Sequence, residues 1–410
     1  MIKVDKIIPG GQSIATLEDG KKIFFWNALP GETVTDYIIT KNKSHYIEAI
    51  ANQINTSSAH RVVPKDECFL STSPWQNMDY KYELQTKREL VVEIFREHNI
   101  NISTPPIFTD DRDYFYRNKM EYSLYYDNEK ATIFPAFHTR GSHRKIPIAN
   151  SSIERPELFA KATEIINGLN ARHEEARKYQ SLLLRCNQTG EVSGGLFENG
   201  KPHPTFKNLT DTILGYQYSY SPNGFFQINL PVYELALKEI QKHITTDEVL
   251  DLYAGVGTIG LSVARPHKLT LVESDKLAFR EQAKNITAED IPERGSARYS
   301  AGHPWRRDDR TRVQSGNILG LLAKAEDVLS YISPSATTIL DPPRAGCDTK
   351  LINRLLEVTP PKIIYLSCNP ATQARDVSAL LQKYQIDTVK TFNFFPRTPH
   401  IENLIILSLK

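Results

Sequence analysis

The sequence lacks several features that would assign it to particular classes of protein. It has four cysteines in 410 residues, and none of them forms a Cys-x-x-Cys pair. A structural zinc site or a disulfide framework is therefore not expected. No apolar run approaches the roughly 20 residues of a membrane-spanning helix, and residues 1–5 lack the apolar core of a secretory signal. We therefore expect a globular, cytoplasmic protein of two or three domains without a membrane partner.

The charge balance leaves the class of partner open. The formal net charge is +2 and the sequence pI is about 8.2. Such a balance neither requires nor excludes nucleic acid, because a local basic patch is enough for binding.

One thiol lies where a strand is expected to meet a helix. A β-branched and apolar run, residues 363–366, ends just before Cys368. Asn369 is a good helix N-cap, and Pro370 suits the first helical position. The positive end of such a helix would favour the thiolate, the nucleophilic form of cysteine. Taken alone, Cys368 is better explained as a small buried apolar residue at the end of a sheet.

Two carboxylates also stand at the ends of expected strands. Asp341 ends an apolar run and is followed by Pro-Pro-Arg, and Glu402 stands just before the apolar run 404–407. A thiol, an aspartate and a glutamate at three strand ends supply a candidate nucleophile and a candidate base.

Three motifs in this order resemble the signature of the S-adenosylmethionine-dependent RNA uracil-C5 methyltransferases, which make 5-methyluridine in transfer and ribosomal RNA. They are Asp-Pro-Pro-Arg at 341–344, Ser-Cys-Asn-Pro at 367–370 and Phe-Pro-x-Thr-x-His-x-Glu at 395–402. The resemblance implies that Cys368 adds to C6 of uracil and that Glu402 removes the C5 proton. It places Asp341 beside the target base or the cofactor, with Arg344 orienting the base.

The same resemblance argues against cytosine as the target. RNA cytosine-C5 methyltransferases carry their nucleophilic cysteine directly after Pro-Pro, where this chain has Arg344. Cys347 comes three residues later and is not the expected nucleophile.

A glycine-rich turn predicts the cofactor site. Residues 249–258 read as a strand that runs into Gly255 and Gly257, and Glu273 ends the next strand, where it can accept ribose hydroxyls. A plain tight turn stays open as an explanation. A dinucleotide site, which would normally use a third glycine where this chain has Gly260, is weakened rather than excluded. The resemblance favours S-adenosylmethionine, with contacts from the following residues: Gln227, Tyr253, Gly255, Gly257, Thr258, Glu273, Asn317 and Asp341. Within this set, Asn317 is expected at the end of the third strand, within reach of adenine.

The expected fold is α/β with four parts. Residues 1–57 read as an OB-like β-barrel that resembles a TRAM domain, and residues 58–104 as a segment whose helix, 80–98, packs on the catalytic domain. Residues 105–215 read as a mixed α+β RNA-binding domain, and residues 216–410 as the Rossmann-like methyltransferase domain.

Basic residues of the central part are candidates for RNA contact. Arg117 and Lys119 lie on an alternating basic and aromatic strand, and Arg140, His143 and Arg144 lie in a basic loop. The alternation in the strand is also explained if one face of its sheet is exposed to solvent. The density of positive charge in the loop, in contrast, favours contact with phosphate. The arginine-rich residues 289–312 read either as a further RNA-contacting loop or as disorder.

Many members of the family carry a four-cysteine iron–sulfur site. Cys68 stands at the first of these positions, but Pro74 and Asn77 stand at the next two, and residues 148–152 lack the fourth. We predict no cluster and no metal, and a structural role for Cys68.

Ribosomal RNA is the favoured substrate, with transfer RNA as the alternative. The N-terminal segment and the sequence Ser-Cys-Asn-Pro-Ala-Thr favour 23S ribosomal RNA, whereas the missing cluster cysteines favour transfer RNA. A catalytically inactive RNA-binding protein of the same fold is the alternative from another class. We expect a monomer.

Overall fold

The computed structural model describes residues 1–203, 206–287 and 311–410. The arginine-rich segment 289–312 therefore lies outside the described residues, apart from its last two positions. The chain divides into two compact units. The first comprises Met1–Lys207, Cys368–Ala374 and Lys390–Asn403, and the second comprises Asn208–Ser367, Arg375–Val389 and Leu404–Lys410. The four domains drawn from the sequence stay predictions.

The amino-terminal segment is rich in strands, as expected. Its six strands pair in the order β1-β5-β6-β4-β3-β2 around a small apolar core that includes Ile23 and Phe25. The outermost strands of this order are separated by only two residues of the chain, and no closed barrel is detected among them. Their bounds are β1 (Ile2–Lys3), β2 (Lys6–Ile7), β3 (Ser13–Thr16), β4 (Lys22–Trp26), β5 (Thr33–Asn42) and β6 (Tyr46–Thr56).

A long helix follows, as the sequence predicts. After the short α1 (Phe69–Thr72) and a 3-10 turn (Pro74–Asn77), α2 runs over Tyr80–Glu97. Asp79 caps it, because its Oδ1 accepts from the backbone N–H of Tyr82 at 2.8 Å.

The central part of the first unit is a second six-stranded sheet, antiparallel throughout, in the order β10-β9-β8-β11-β12-β13. Helix α3 (Pro156–Ala171) packs on it, and Cys68 lies in the shared apolar core. The bounds are β8 (Lys119–Asp127), β9 (Thr132–His138), β10 (Lys145–Pro147), β11 (Ser181–Cys186), β12 (Val192–Glu198) and β13 (Lys201–His203); β7 (Ile107–Phe108) precedes them and belongs to the large sheet described below.

The second unit begins with a hairpin, β14 (Leu209–Ile213) and β15 (Tyr216–Tyr220), and helix α4 (Leu230–Gln241). A nine-stranded sheet follows in the order β18-β19-β17-β16-β20-β21-β23-β22-β7. Its strands are β16 (Glu248–Leu252), β17 (Lys268–Glu273), β18 (Arg312–Ser315), β19 (Ile318–Leu322), β20 (Ala336–Leu340), β21 (Lys362–Ser367), β22 (Tyr384–Phe392) and β23 (Glu402–Leu409). Its helices are α5 (Thr258–Val263), α6 (Lys276–Thr287), α7 (Thr349–Val358) and α8 (Pro370–Leu380).

The centre of the large sheet is parallel. Strands β19, β17, β16, β20 and β21 all run in the same direction, so their carboxyl ends meet at one edge. Strand β20 is buried along its whole length, as expected for a parallel strand covered on both faces. This is the Rossmann-like arrangement that the sequence predicts, and ligands of such sheets bind at the carboxyl edge.

Candidate active site

The glycine-rich turn has the backbone that its sequence predicts. Gly255 and Gly257 have φ angles of +57° and +89°, in the left-handed region that favours glycine. The N–H of Gly255 donates to Oε2 of Glu273 at 2.8 Å. The turn at the end of β16 is thus tied directly to the acid that ends β17.

Gly260 has a different role, which is packing. A Cβ on Gly260 would lie 2.5 Å from Cδ2 of Leu271 and 2.8 Å from Oδ2 of Asp251. Helix α5 therefore approaches the sheet closely only because residue 260 has no side chain. Its N–H donates to the same Oδ2 of Asp251 at 2.8 Å.

Three carboxylates surround this turn at the carboxyl ends of neighbouring strands. Asp251 is on β16, Glu273 ends β17 and Asp341 directly follows β20. Burial, aided by the negative charges of Asp341 and Glu273, raises the pKa of Asp251 to about 8. Burial also raises the pKa of Asp341 to about 7. A cluster of poorly solvated carboxylates favours a ligand that carries positive charge.

Buried polar atoms without a partner occur on two residues of the second unit. Oδ1 of Asp251 has no hydrogen-bond partner among the described residues, and neither side-chain atom of Asn229 has one. Both residues are at most 1% exposed. Because buried polar atoms nearly always have partners, these atoms fit a site that a polar ligand completes. Asn229 was not among the residues predicted from the sequence, although it stands two positions after Gln227.

These features fit S-adenosylmethionine. A Cβ on Gly255 would meet no protein atom within 4 Å, so the space beside this backbone is open to a ligand. Glu273 is 9% exposed and Gln227 is 8% exposed, which leaves each a small accessible surface. Thr258 begins α5, and Tyr253 has a left-handed φ of +65° at the end of β16. Such strain in a residue other than glycine is common at functional sites.

The expectation for Asn317 is wrong. Residues 314–317 do not end the third parallel strand: Asn317 lies in the turn between β18 and β19, before β19 begins. Its backbone oxygen accepts from the N–H of Leu269, near the start of β17, at 3.0 Å. Asn317 therefore lies at the edge opposite Glu273. Its side-chain amide donates to the backbone oxygens of Arg265 and His267. The sequence did not show that 312–322 forms a hairpin.

The candidate nucleophile and base lie at the same end of neighbouring strands. Half-buried Cys368 directly follows β21 and precedes α8, as the sequence predicts. The N–H of Leu409, at the end of β23, donates to the oxygen of Pro361, just before β21, at 3.2 Å. Strands β21 and β23 are neighbours in the sheet. Because this hydrogen bond joins the end of β23 to the start of β21, the two strands run in opposite directions. The end of β21 thus lies beside the start of β23, which is Glu402, a residue only 4% exposed.

A reciprocal amide pair connects the two ends. Nδ2 of Asn403 donates to Oε1 of Gln373 at 2.7 Å, and Nε2 of Gln373 donates to the backbone oxygen of Asn403 at 3.0 Å. Both residues are fully buried. Gln373 lies on the first turn of α8, five residues after Cys368, and Asn403 follows Glu402. Sequence patterns alone gave no signal for this pair.

The loop that follows Asp341 is held by a second network that the sequence did not reveal. Oδ2 of Asp376 on α8 accepts from the N–H of Cys347 and from the hydroxyl of Tyr365, both at 2.8 Å. Arg375 pairs with the other oxygen of Asp376 at 2.6 Å and also donates to the backbone oxygen of Ala345. Burial raises the pKa of the Cys347 thiol to about 12, so this thiol is a poor nucleophile. Arg344 lies exposed in the same loop.

The predicted RNA-contacting residues separate into two groups. His143 and Arg144 are exposed in the loop between β9 and β10. Arg140 is instead engaged within the first unit: its guanidinium lies 4.2 Å from the centre of the Trp26 ring, and its Nε donates to the oxygen of Leu70. This packing makes Arg140 a connection between the basic loop and the amino-terminal segment, and burial lowers its pKa.

The basic strand is also less exposed than its sequence indicates. Nε of Arg117 donates to the backbone oxygen of Lys119 at 2.9 Å. Burial and the neighbouring Arg185 lower the pKa of Lys119 to about 8. Lys119 would therefore carry only part of a charge in mildly alkaline solution.

The segment around Cys68 is held by hydrogen bonds. Burial raises the pKa of the Cys68 thiol to about 11. The carboxylate of Asp66 accepts from the N–H and hydroxyl of Ser152 and from Nε2 of Gln76, at 2.6–3.0 Å.

Within the described ranges, no three His, Cys, Asp or Glu side chains are grouped to hold a metal ion. Nor does the described part of the chain contain a helix long and apolar enough to cross a membrane.

Comparisons with known proteins agree with this fold. The structure of the Pyrococcus abyssi tRNA (uracil-54, C5)-methyltransferase in complex with S-adenosyl-L-homocysteine superposes with a TM-score of 0.72. It is 22% identical in sequence, and the match covers 99% of this chain and 100% of that one. The fold is that of a Rossmann-like methyltransferase.

Sequence comparisons agree with the resemblance that the motifs indicate. Residues 213–410 match the family model described as tRNA (Uracil-5-)-methyltransferase. An uncharacterized RNA methyltransferase of Bacillus anthracis is 27% identical over an alignment of 446 residues, which covers 95% of this chain and 92% of the relative. One from Staphylococcus aureus is 28% identical over 456 residues, with 95% and 93% covered. Residues 213–410 are thus similar to this family, as the motifs predict, and the relatives of the chain are RNA methyltransferases by name.

Proposed function

We propose that this enzyme transfers a methyl group from S-adenosylmethionine to C5 of a uridine in RNA, with Cys368 as the nucleophile and Glu402 as the base. The observation that carries the proposal is the antiparallel pairing of β21 and β23. It brings a half-buried thiol and a buried carboxylate, 34 positions apart in sequence, to the same end of adjacent strands.

The chemistry requires both groups because C5 of uracil is a poor nucleophile. The thiolate of Cys368 forms a bond to C6, and the electron pair of the C5=C6 bond becomes available at C5. C5 then forms a bond to the methyl carbon, whose bond to the sulfonium sulfur would break and leave S-adenosylhomocysteine as the second product. The carboxylate of Glu402 removes the proton from C5, the C5=C6 bond forms again, and the bond between C6 and sulfur breaks to release the Cys368 thiolate.

S-adenosylmethionine supplies an electrophilic methyl group on a positively charged sulfur. Residues of the second unit would bind it. Glu273 accepts ribose hydroxyls, the Gly255 turn admits the ligand close to the backbone, and the carboxylates of Asp251 and Asp341 stabilise its positive charge. Gln227, Tyr253, Gly257 and Thr258 complete this site. The support is the placement of Gly255, Glu273 and Asp341 at the carboxyl edge of the parallel strands and the unpartnered Oδ1 of Asp251.

The target must leave any base stack, since the thiolate approaches C6 from the face of the ring. We propose that exposed His143, Arg144 and Arg344 contact RNA phosphates or the target nucleotide. Ribosomal RNA is our preferred substrate, on the basis of the strand-rich amino-terminal segment. Transfer RNA is the second candidate, because the Pyrococcus abyssi protein of the same fold is a tRNA (uracil-54, C5)-methyltransferase.

The test uses wild-type enzyme, Cys368→Ala and the matched control Cys186→Ala, whose thiol is buried in β11. Each is incubated with methyl-labelled S-adenosylmethionine and total RNA from cells that lack the enzyme, and nucleosides are separated by mass spectrometry. Label should appear in 5-methyluridine with the wild type and Cys186→Ala and be absent with Cys368→Ala. Label that persists with Cys368→Ala contradicts the assignment of the nucleophile. No label with any protein favours an RNA-binding protein without activity, and mapping the labelled RNA identifies the substrate.

A further inference from the structure

A buried ion pair on helix α2 has no role in the chemistry described so far. Glu83 and Lys87 are both fully buried in the first unit, with 2.8 Å between Nζ and Oε1. Burial lowers the pKa of Lys87. Because taking two charges out of water is costly, apolar residues often stabilise a core at least as well as such a pair. The pair therefore points to a requirement for a specific geometry.

The segment that this pair holds is the one that leads to Glu402. Besides Glu83, Nζ of Lys87 donates to Oδ1 of Asn393 at 2.6 Å and to the backbone oxygen of Phe395 at 3.0 Å. All three donors of the ammonium group are thereby used. Both carboxylate oxygens of Glu83 accept from the N–H of Arg397 at 3.0 Å.

Arg397 fixes the same segment from its other side. Its φ is +63°, which is unusual for a residue with a side chain. Its Nη1 donates to the oxygen of Met78 at 2.8 Å, its Nη2 pairs with Asp113, and its guanidinium lies 4.9–5.1 Å from the ring centres of Tyr80 and Tyr114. Two kinds of contact thus restrain residues 393–397: the buried ion pair and the arginine.

Only four residues separate this restrained stretch from Glu402, where β23 begins. On the other side of Glu402, Asn403 is fixed by its pair with Gln373. Cys368, in contrast, lies between β21 and α8, whereas the hydrogen bonds of Glu83 and Lys87 go to residues 393–397 and to each other. A change in the ion pair should therefore displace the base more than the nucleophile.

We propose that Glu83 and Lys87 are positioning residues that hold Glu402 where it can remove the C5 proton. This inference rests on the proposed function. It predicts a specific defect. When the base is displaced, Cys368 still adds to C6 and C5 still receives the methyl group, but the C5 proton is not removed. The bond between C6 and sulfur then persists, and the enzyme accumulates as a covalent adduct with RNA.

A fluorinated substrate separates the two steps. Fluorine at C5 cannot leave as a cation, so an enzyme that adds to 5-fluorouridine and methylates it stops at the adduct without any need for a base. The rate of this trapping reports on addition and methyl transfer alone. The probe is total RNA from cells that lack the enzyme, grown with or without 5-fluorouracil.

The variants are Lys87→Met and the double variant Glu83→Leu/Lys87→Met. The double variant serves if Lys87→Met fails to fold, because it leaves no unpaired buried charge. The matched control is Lys161→Met, which removes an exposed lysine paired with Glu164 on α3. We expect turnover on ordinary RNA to fall about tenfold to a hundredfold, as for a displaced catalytic group. A denaturant-resistant adduct should accumulate on that RNA, while trapping on fluorinated RNA stays within about twofold of the wild-type rate. Lys161→Met should resemble the wild type in all three assays.

Two results would overturn the inference. Turnover and trapping that fall in parallel would show that the pair only supports the fold, and unchanged turnover in the double variant would show that it positions nothing. Failure of the proposed function is distinguishable, because the wild-type enzyme itself would then form no adduct with fluorinated RNA.

Discussion

Alanine substitutions at two glycines of the cofactor turn can separate two causes of lost stability, backbone strain and steric crowding. Gly255 and Gly257 both have positive φ, so alanine at either position costs about 1–2 kcal/mol for the left-handed conformation. Their surroundings differ. A Cβ at 257 would lie 2.8 Å from Cδ1 of Leu261 and 3.3 Å from Cγ of Gln282, whereas a Cβ at 255 meets nothing within 4 Å.

Gly257→Ala should therefore be the more destabilising substitution. Overpacking a buried site costs about 1–3 kcal/mol, and this amount is added to the strain at position 257 only. The φ of +89° also lies farther from the values that residues with a Cβ adopt than does +57°. At about 2–4 °C per kcal/mol for a unit of this size, the unfolding transition of Gly257→Ala should lie several degrees below that of Gly255→Ala.

For cofactor binding, by contrast, the substitution at Gly255 should be the more damaging one. At Gly255 the space that a methyl group would fill is open in the protein and, in the proposed function, is taken by the ligand. Gly255→Ala should thus weaken binding of S-adenosylhomocysteine by at least about tenfold, equivalent to about 1.4 kcal/mol, although the free protein loses less stability than it does in Gly257→Ala.

The measurements are calorimetric unfolding of the two variants and titration of the folded proteins with S-adenosylhomocysteine. Equal losses of stability, or a larger loss for Gly255→Ala, would refute the argument from Cβ contacts. Wild-type affinity in Gly255→Ala would show that the ligand does not approach this backbone.

Two further predictions concern the charge cluster and the amide pair. Because the pKa of Asp251 rises from 3.8 unfolded to about 8 folded, and that of Asp341 to about 7, the ligand-free protein should lose stability as the pH rises from about 4 to about 8. Asp251→Asn, which keeps an acceptor for Gly260, should reduce this dependence in thermal unfolding between pH 5 and pH 8; an unchanged slope would contradict it. Gln373→Met removes both hydrogen bonds to Asn403, and leaving buried polar groups unsatisfied costs about 1–3 kcal/mol. The substitution should therefore lower the rates of adduct trapping and of turnover together, by about tenfold or more. Exposed Gln385→Met is its control, and wild-type rates in both variants would show that the pair does not set the geometry.

Several parts of the molecule were determined by short stretches of sequence. The position of Cys368 between a strand and a helix followed from an apolar run, an N-cap and a proline, all within ten residues. The turn of Gly255 and Gly257 followed from the backbone freedom of glycine. Such features depend on local conformational preferences, which neighbouring residues largely decide. The resemblance to a family was also apparent from three short motifs.

Other parts depended on contacts between distant residues. The hairpin that moves Asn317 to the far edge depends on which strands pair, and the packing of Arg140 on Trp26 depends on how two segments of the first unit meet. Lys87 and Phe395 are 308 positions apart, and no local pattern indicates their hydrogen bond. Burial creates these relations, because a charge excluded from water must find partners wherever the fold provides them. The sequence by itself determined which groups are available for chemistry, whereas the tertiary structure decided which groups lie together and which side chains hold them in place.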